Sequence, residues 1–531
     1  MANQDFSVTL KFGGGVHSRA SEDEIDVREC STGQNFDLDL QNREYKNRKP
    51  FDLIGQVPNA SEIRGMACLS KSDGTVSALV QAGDTVYEWD GTTNFTSVGS
   101  VSSTAKLRGR LEHNWQLDDI VIITDLNLQQ PVMSWDGTTL QNITFTTEDG
   151  STAFGTFKSR YCFVSNERAV YSNIHDNGTD FPHLIIGSER GSYTIISVAQ
   201  RPSSSLSAAD AFFLIQPDYR YINGVVEAYG QIVTSSKEGS LFTINGSDAT
   251  DFSISELYPR SGASGDESVV YVGNDVIYGR QGRIESVVAT QNYGDVETDD
   301  LSSGIYNLIE DYSNWTNVYN SRNQRIYCIP SGESEMWVLH KSLVGSEISP
   351  WSKWTTNHSI AFSPTCIMNM LDPSDGLEYV FMGDSNGNFY RMEGSGTSGD
   401  GGTNNITSER LSKLFQLPLD AEAYDVEGYI LYRKADAATA VIRMEWSGYS
   451  VTNESMTINI PAITSRTVYG GGFYYSDGNY YGTAFQNRLT RQLFTPPGKS
   501  TEFQLRVTIE GTTDFAINAI GLKFKGVPST L

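Results

Sequence analysis

Cysteine is scarce: Cys30, Cys68, Cys162, Cys328 and Cys366 are odd in number, far apart and never in a CxxC spacing. That argues against a disulfide framework and against a cysteine zinc site, and the thiols are expected to be reduced and buried. No apolar run approaches the roughly 18 residues of a membrane span, and Met1 to Gly15 lacks a basic stretch followed by an apolar one. No membrane span and no leader are therefore expected, and the chain is expected to be made in the cytoplasm. The six histidines (His17, His113, His175, His183, His340, His358) never form HExxH, and neither a GxSxG elbow nor a GxxxxGK[ST] loop occurs. Positive charge is short as well: 39 Lys and Arg stand against 64 Asp and Glu, a formal net charge of −25 without an acidic tail. Such a surface repels nucleic-acid phosphate, although a wall past which DNA slides without sticking remains compatible with it.

Amphipathic helical stretches are few, whereas glycine (49) and tyrosine (27) are abundant, which points to a mostly β chain. The most informative feature is a repeat. Trp89-Asp90-Gly91-Thr92-Thr93 returns as Trp135-Asp136-Gly137-Thr138-Thr139, 46 residues later, each copy preceded by a strand-like run. About 40 to 50 residues are what four short strands and their turns require in one propeller blade, and Asp-Gly supplies the positive φ of a tight turn. The alternative is two unrelated Asp-Gly hairpins in some other all-β fold.

Strand signals become regular from about residue 52. They fall at Val76 to Val80, Thr85 to Trp89, Ile120 to Thr124, Tyr161 to Val164, Leu184 to Ile186 and Tyr193 to Val198. Further runs follow at Ile232 to Thr234, Leu241 to Ile244, Val269 to Val272, Val276 to Tyr278, Arg325 to Ile329, Met336 to Leu339 and Tyr379 to Met382. At one blade per ~46 residues, 52–395 holds about seven blades, with six or eight allowed. Residues 1–51, sparse in hydrophobics, read as an extended arm that closes the propeller by supplying its missing strand. The Gly/Ser/Thr/Asn stretch at 396–405 has linker composition. Beyond it, 406–531 alternates apolar and polar residues at Tyr429 to Tyr432, Val441 to Trp446, Met456 to Ile460, Phe503 to Ile509 and Phe515 to Phe524, as an antiparallel β-sandwich does. Gly511 to Asp514 reads as a turn returning the chain into a second strand.

Candidate chemistry is thin. Asp118-Asp119 and Asp299-Asp300 are acid pairs without distinguishing spacing, and Ser72-Asp73-Gly74-Thr75 lacks the spacing and tryptophan of a sialidase turn. Asp384 to Asn388 begins like a calcium loop but has Ser395 where the closing Glu belongs, so a plain hairpin is expected there, as at His175 to Gly178. No catalytic, cofactor-binding or metal-binding residue is assigned, and an enzyme is not expected. The segment Tyr469 to Tyr481 is dense in tyrosine and glycine. Tyr469, Phe473, Tyr474, Tyr475, Tyr480 and Tyr481 are the candidate gate or contact loop, able to stack on sugar or on a neighbouring subunit; a hairpin turning at Ser476 to Asn479 with tyrosines packed across it is the plainer alternative.

Several segments in fixed order resemble the β-propeller virion proteins of tailed bacteriophages, which include the tail nozzle or tail tubular proteins of short-tailed phages. They are Phe12-Gly13-Gly14-Gly15-Val16-His17-Ser18-Arg19, Gly230 to Gly246, Gly262 to Ser286 and the Trp351-Ser352-Lys353-Trp354 motif, with Tyr327 and Trp337. Where that family has an Arg-Pro-Gly turn, this chain has Arg48-Lys49-Pro50-Phe51. The resemblance implies a structural role in the virion tail, assembled in the host cytoplasm. Copies of the chain, six in the family, would form a ring that continues the portal and adaptor channel, passes phage DNA without specific binding and docks tail fibre or spike proteins. A glycan- or receptor-binding tail protein is the alternative.

Overall fold

The computed structural model describes residues 5–528 except 22, 40–43, 152–154, 200–204, 229–230, 274, 291–294, 356–363, 395–399, 401–405, 417–420, 435–439, 449–450, 461–489, 495–501 and 512–514. Seven antiparallel four-stranded blades stand around one axis. From the axis outward, blade 1 is Ile63–Ser70, Val76–Ala82, Thr85–Trp89 and Phe95–Ser100. Blade 2 opens with Leu107–Gly109, continued by Asn114–Trp115, then Ile120–Asp125, Met133–Trp135 and Leu140–Asn142. Blade 3 is Lys158–Ser165, Arg168–Asp176, Thr179–Gly187 and Phe212–Ile215; blade 4 is Ile222–Ala228, Gln231–Ser236, Leu241–Asn245 and Ser253–Tyr258. Blade 5 is Val269–Tyr271, Val276–Arg280, Arg283–Thr290 and Asp295–Asp300; blade 6 is Trp315–Asn320, Arg325–Pro330, Glu335–His340 and Trp351–Thr355. Blade 7 is Pro364–Leu371, Glu378–Asp384, Asn388–Arg391 and, as its outer strand, Asp52–Gln56. Each innermost strand neighbours the innermost strand of the next blade, and blade 7 meets blade 1, so the ring is closed.

Because side chains alternate across a strand, each blade offers an apolar face to both neighbours. In the first strand of blade 1, Met66 and Cys68 face blade 7 whereas Ala67 and Leu69 face blade 2. The buried core accordingly divides into seven clusters, one at each junction between blades.

The repeated motif occupies equivalent places in blades 1 and 2. Trp89 and Trp135 end the third strands of their blades. Asp90 and Asp136 then accept the backbone N–H of Thr92 and Thr138 at 2.8 and 2.7 Å, an Asx turn, and Gly91 and Gly137 take φ of +83° and +90°. Each turn sits against the preceding blade: a Cβ on Gly91 would lie 2.6 Å from the Ser374 nitrogen of blade 7, and one on Gly137 would lie 2.8 Å from Nζ of Lys71 in blade 1. Each tryptophan reaches the same way. Trp89 packs edge-on against Phe381 and Phe389, and Trp135 donates from Nε1 to Oγ of Ser77 at 3.0 Å.

The arm departs from expectation. The strand that completes blade 7 is Asp52–Gln56, whereas residues 1–51 build the C-terminal sandwich. Asp5–Lys11 pairs along Phe515–Pro528, the hairpin Phe36–Asp39/Glu44–Asn47 joins the same strand, and Thr32–Gln34 pairs with Ile406–Leu411. One sheet therefore holds Asp5–Lys11, the hairpin, Phe515–Pro528, Ala421–Lys434 and Thr490–Phe494; the other holds Thr32–Gln34, Ile406–Leu411, Glu502–Gly511, Ala440–Gly448 and Val451–Ile460. Glu502–Gly511 and Phe515–Pro528 lie in different sheets, and the turn expected at Gly511 to Asp514 falls, beyond Gly511, outside the described residues. The arm's Leu10, Phe12, Phe36 and Tyr45 share one core with Leu505, Val507 and Ile517 of the sandwich and with Trp315, Trp337 and Trp351 of blade 6. Another sequence expectation also fails. Tyr193 to Val198 is no strand but part of the connector between Thr179–Gly187 and Phe212–Ile215, tethered by single bridges at Ser192 and Ile195.

Candidate functional site: the propeller axis and the arm seam

Leu107–Gly109 of blade 2 pairs in parallel with Ile63–Ser70 of blade 1, whereas the other innermost strands have a free edge toward the axis, where backbone polar groups would be buried without partners. The chain meets this with a ring of side chains that each donate to a carbonyl of the adjoining blade. Arg108 donates to Arg64 (2.8 Å), Thr124 to Arg160 (3.0 Å), Asn173 to Ile222 (2.8 Å), Asn223 to Ala263 (2.6 Å) and Asn317 to Ser268 (2.6 Å). Asn369 donates to Tyr319 and Thr365 to Ile63. All seven blade junctions are stitched in this way.

The axis itself is closed by charge. Arg108, in the first strand of blade 2, makes a two-pronged contact with Glu267, which immediately precedes blade 5 on the far side of the ring: Nε to Oε1 at 2.7 Å and Nη2 to Oε2 at 2.8 Å. Arg110 adds Nη2 to Oε1 at 2.6 Å. Arg108 and Glu267 are buried. Burial pushes the Glu267 carboxyl up, but the two guanidinium groups outweigh it and hold it down at about 2. Glu267 also has φ of +67°, a left-handed conformation uncommon for a residue with a Cβ, while its carbonyl accepts the Asn317 N–H at 3.0 Å. Beneath the triad His113 is buried, donates to the Ile122 carbonyl at 3.1 Å and is pushed down to about 4 by burial.

Above the triad a cavity of about 420 Å³ opens on the face that carries the connectors between blades. Lys106, Lys237, Ser264, Asn314 and Thr365 are among its walls, and Arg108 and Glu267 form its floor. The Arg108–Glu267 pair thus stands across the axis at the floor of a cup.

A second polar centre locks the arm to the propeller. Arg48 is fully buried and donates to both carboxylate oxygens of Asp400, one at 2.8 Å, and to the carbonyls of Lys49 and Thr355 and Oδ1 of Asn35, each at 3.0 Å. Its guanidinium lies 4.1 Å above the Phe51 ring. Nearby, Arg325 of blade 6 bridges Asp37 of the arm at 2.6 Å and Glu393 after blade 7 at 2.7 Å. Asp37 is buried, but Arg325 and Lys46 hold its carboxyl below the usual range. The glycine-rich opening and the Trp351-Ser352-Lys353-Trp354 motif meet in this seam. Gly15 donates to the Ser349 carbonyl at 2.7 Å and Val16 to that of Trp351 at 2.8 Å, and a Cβ on Gly15 would lie 1.9 Å from the Trp351 oxygen. Trp354 donates from Nε1 to the Phe36 carbonyl at 3.0 Å.

The candidate loop Tyr469, Phe473, Tyr474, Tyr475, Tyr480 and Tyr481 lies outside the described residues, as does His358. Three of the four paired acids have structural partners: Asp118 accepts the Trp115 indole N–H at 3.1 Å, Asp119 caps Ser72 at 2.7 Å and Asp300 caps Ser302 at 3.0 Å, and the side chain of Asp299 lies outside those described. Asp384 closes a hairpin by accepting the N–H of Asn386 and of Asn388 at 2.8 Å. All five cysteines are free and buried, and burial pushes Cys30 up to about 11 and Cys68 to about 12. Among the described residues no three His, Cys, Asp or Glu side chains gather as a metal site, and no helix is long and apolar enough to cross a membrane. The axial triad was not singled out from the sequence, because Arg108 and Glu267 are 159 residues apart and belong to no recurring spacing.

No protein-family model and no curated protein matches the chain. Among solved structures it is similar to a virginiamycin B lyase from Staphylococcus aureus determined with quinupristin (9% identity over 63% of this chain and 96% of that one, TM-score 0.39). It is also similar to the WD40 domain of Toxoplasma gondii coronin (10% identity, 68% and 87% covered, TM-score 0.39) and to YCF48 from Cyanidioschyzon merolae (11%, 65% and 98%, TM-score 0.39). These likenesses carry no argument about activity; by its own strand order the chain is an all-β protein of a seven-bladed propeller and an antiparallel sandwich.

Proposed function

We propose that this chain is a structural component of a bacteriophage tail, several copies of which form a nozzle ring that continues the portal and adaptor channel, lets DNA pass and docks other tail proteins. The observation that supports this reading best is the seam at Gly15 and Trp351: two of the segments on which the family resemblance rests are in direct contact there. Blade 6, arm and sandwich share one core, a rigid block suited to building a wall. The closed axis fits the same reading, since a blade ring blocked by the Arg108–Glu267 pair acts as a brick and leaves the conduit to lie between copies. The charge of −25 would keep passing DNA from adhering.

Single-particle electron microscopy of the purified protein, alone and mixed with tail fractions, tests the proposal. A ring of propellers around a shared channel is the expected result. A monodisperse monomer that joins no ring even with tail partners present would overturn it and direct attention to glycan arrays.

A further inference from the structure

The cup at the propeller axis carries an imbalance of charge. Glu62 at its rim is engaged by Arg64 at 2.6 Å. Asp266 accepts the Tyr161 hydroxyl at 3.2 Å and faces Arg160 at 3.6 Å, and Glu267 is saturated by Arg108 and Arg110. The acids of the cup are therefore spoken for. Lys106 and Lys237 are not: among the described residues neither ammonium group has an ion-pair or hydrogen-bond partner, yet both line the cavity. Lys106 enters from the approach to blade 2 and Lys237 from the turn that ends the second strand of blade 4, so blade 3 separates them and they face the space from two sides. In a chain with 25 excess negative charges, two unpaired cations over the Arg108–Glu267 floor form a local inversion of sign. A cavity of about 420 Å³ is within the size of small-molecule sites.

We infer that the axial cup binds a small dianion, a molecule whose two anionic groups are bridged by Lys106 and Lys237. Phosphate and carboxylate chemistry are both served by ammonium donors, which act as point charges without the planar fork that would select one. The inference is independent of the tail reading, because it concerns a single copy of the chain.

Isothermal titration of the full chain with pyrophosphate and, separately, with malonate tests it. Saturable one-to-one binding is expected with at least one of the two, and whichever binds more tightly identifies the ligand as a phosphate or a carboxylate. Lys106→Ala and Lys237→Ala should each weaken binding at least tenfold, Lys106→Arg should retain most of it, and Lys71→Ala on the opposite face should leave it unchanged. Thermal melts of the variants verify that they are folded. The inference is overturned if neither probe saturates below about 10 mM, if the cup variants bind as the parent does, or if Lys71→Ala loses as much as they do.

Discussion

Arg48 and Asp400, 352 positions apart, form a buried two-pronged ion pair at the point where the arm enters the propeller and the chain leaves it again. The segment 396–405 has the composition of a linker, yet its one carboxylate fastens three parts of the molecule together. Asp400 holds Arg48 and accepts the Phe51 N–H at 2.9 Å, while Arg48 reaches the Thr355 carbonyl of blade 6.

Asp400→Ala leaves a guanidinium buried without its counter-ion, and removing one partner of such a pair costs about 3–5 kcal/mol. The urea midpoint should fall accordingly. A loss below about 1 kcal/mol would show that Arg48 finds water or another acceptor and that the junction is not locked by this pair.

The axial triad predicts a similar loss and a partial rescue. Glu267→Leu should destabilise by about 3–5 kcal/mol, since Arg108 and Arg110 are left facing each other in a closed axis. Adding Arg108→Met and Arg110→Met should return much of it, because apolar side chains of similar volume can replace a buried ionic cluster. The sign of the acid response follows from a folded-state carboxyl at about 2. Glu267's contribution is complete above the ordinary glutamate range and is lost as pH falls from there toward 2. If the triple variant is no more stable than Glu267→Leu, packing and not charge governs the axis.

His113 and His340 act in a higher pH window. Burial lowers both, to about 4 and about 3, with Arg325 adding to the effect at His340. Between about pH 6.5 and pH 4 the unfolded chain therefore binds protons that the folded chain refuses, and stability declines as pH falls, by up to about 1.4 kcal/mol per unit for each histidine. His113→Gln should make the melting temperature less steep across that interval. An unchanged slope would mean that His113 is protonated in the folded state.

Gly15→Ala tests the seam. The added methyl collides with the Trp351 carbonyl oxygen, so the arm or the outer strand of blade 6 must move, at a cost of about 1–3 kcal/mol. Hydrogen exchange should quicken at the Val16 amide, which is bonded to that carbonyl in the parent. Parent-like protection there would show that the contact accommodates a side chain.

Much of the propeller was legible because a blade writes itself locally. Thr85–Trp89 and Leu241–Asn245 carry their own apolar alternation and turn residues, and the Trp-Asp-Gly repeat marks equivalent turns. In the sandwich, Leu505, Val507 and Ile509 are buried as the alternation of that strand requires. What was illegible depends on partners far along the chain. Whether residues 1–51 or Asp52–Gln56 completes blade 7 is decided by a pairing with Asn388–Arg391, and no local pattern encodes it. Tyr193 to Val198 has the composition of a strand, but the fourth place in blade 3 is taken by Phe212–Ile215. The axial triad and the Arg48–Asp400 pair are single charged residues whose meaning arises only from what the closed ring brings opposite them.

Closure by an early strand sets a timetable for synthesis. Asp52–Gln56 leaves the ribosome long before its partner Asn388–Arg391, and Asp5–Lys11 waits for Phe515–Pro528. At about 5–20 residues per second, the second wait lasts roughly 25 to 100 s. Until Asn388–Arg391 is made, six blades can stack in order from their own local hairpins while Asp52–Gln56 waits as an unpaired edge, and the edge of Asp5–Lys11 waits longer still, until Phe515–Pro528 follows. The nascent chain thus offers two open edges for mispairing with its neighbours on a polysome until Arg391 is made and one until Phe515–Pro528 follows, and slow translation between those points would lengthen the second exposure.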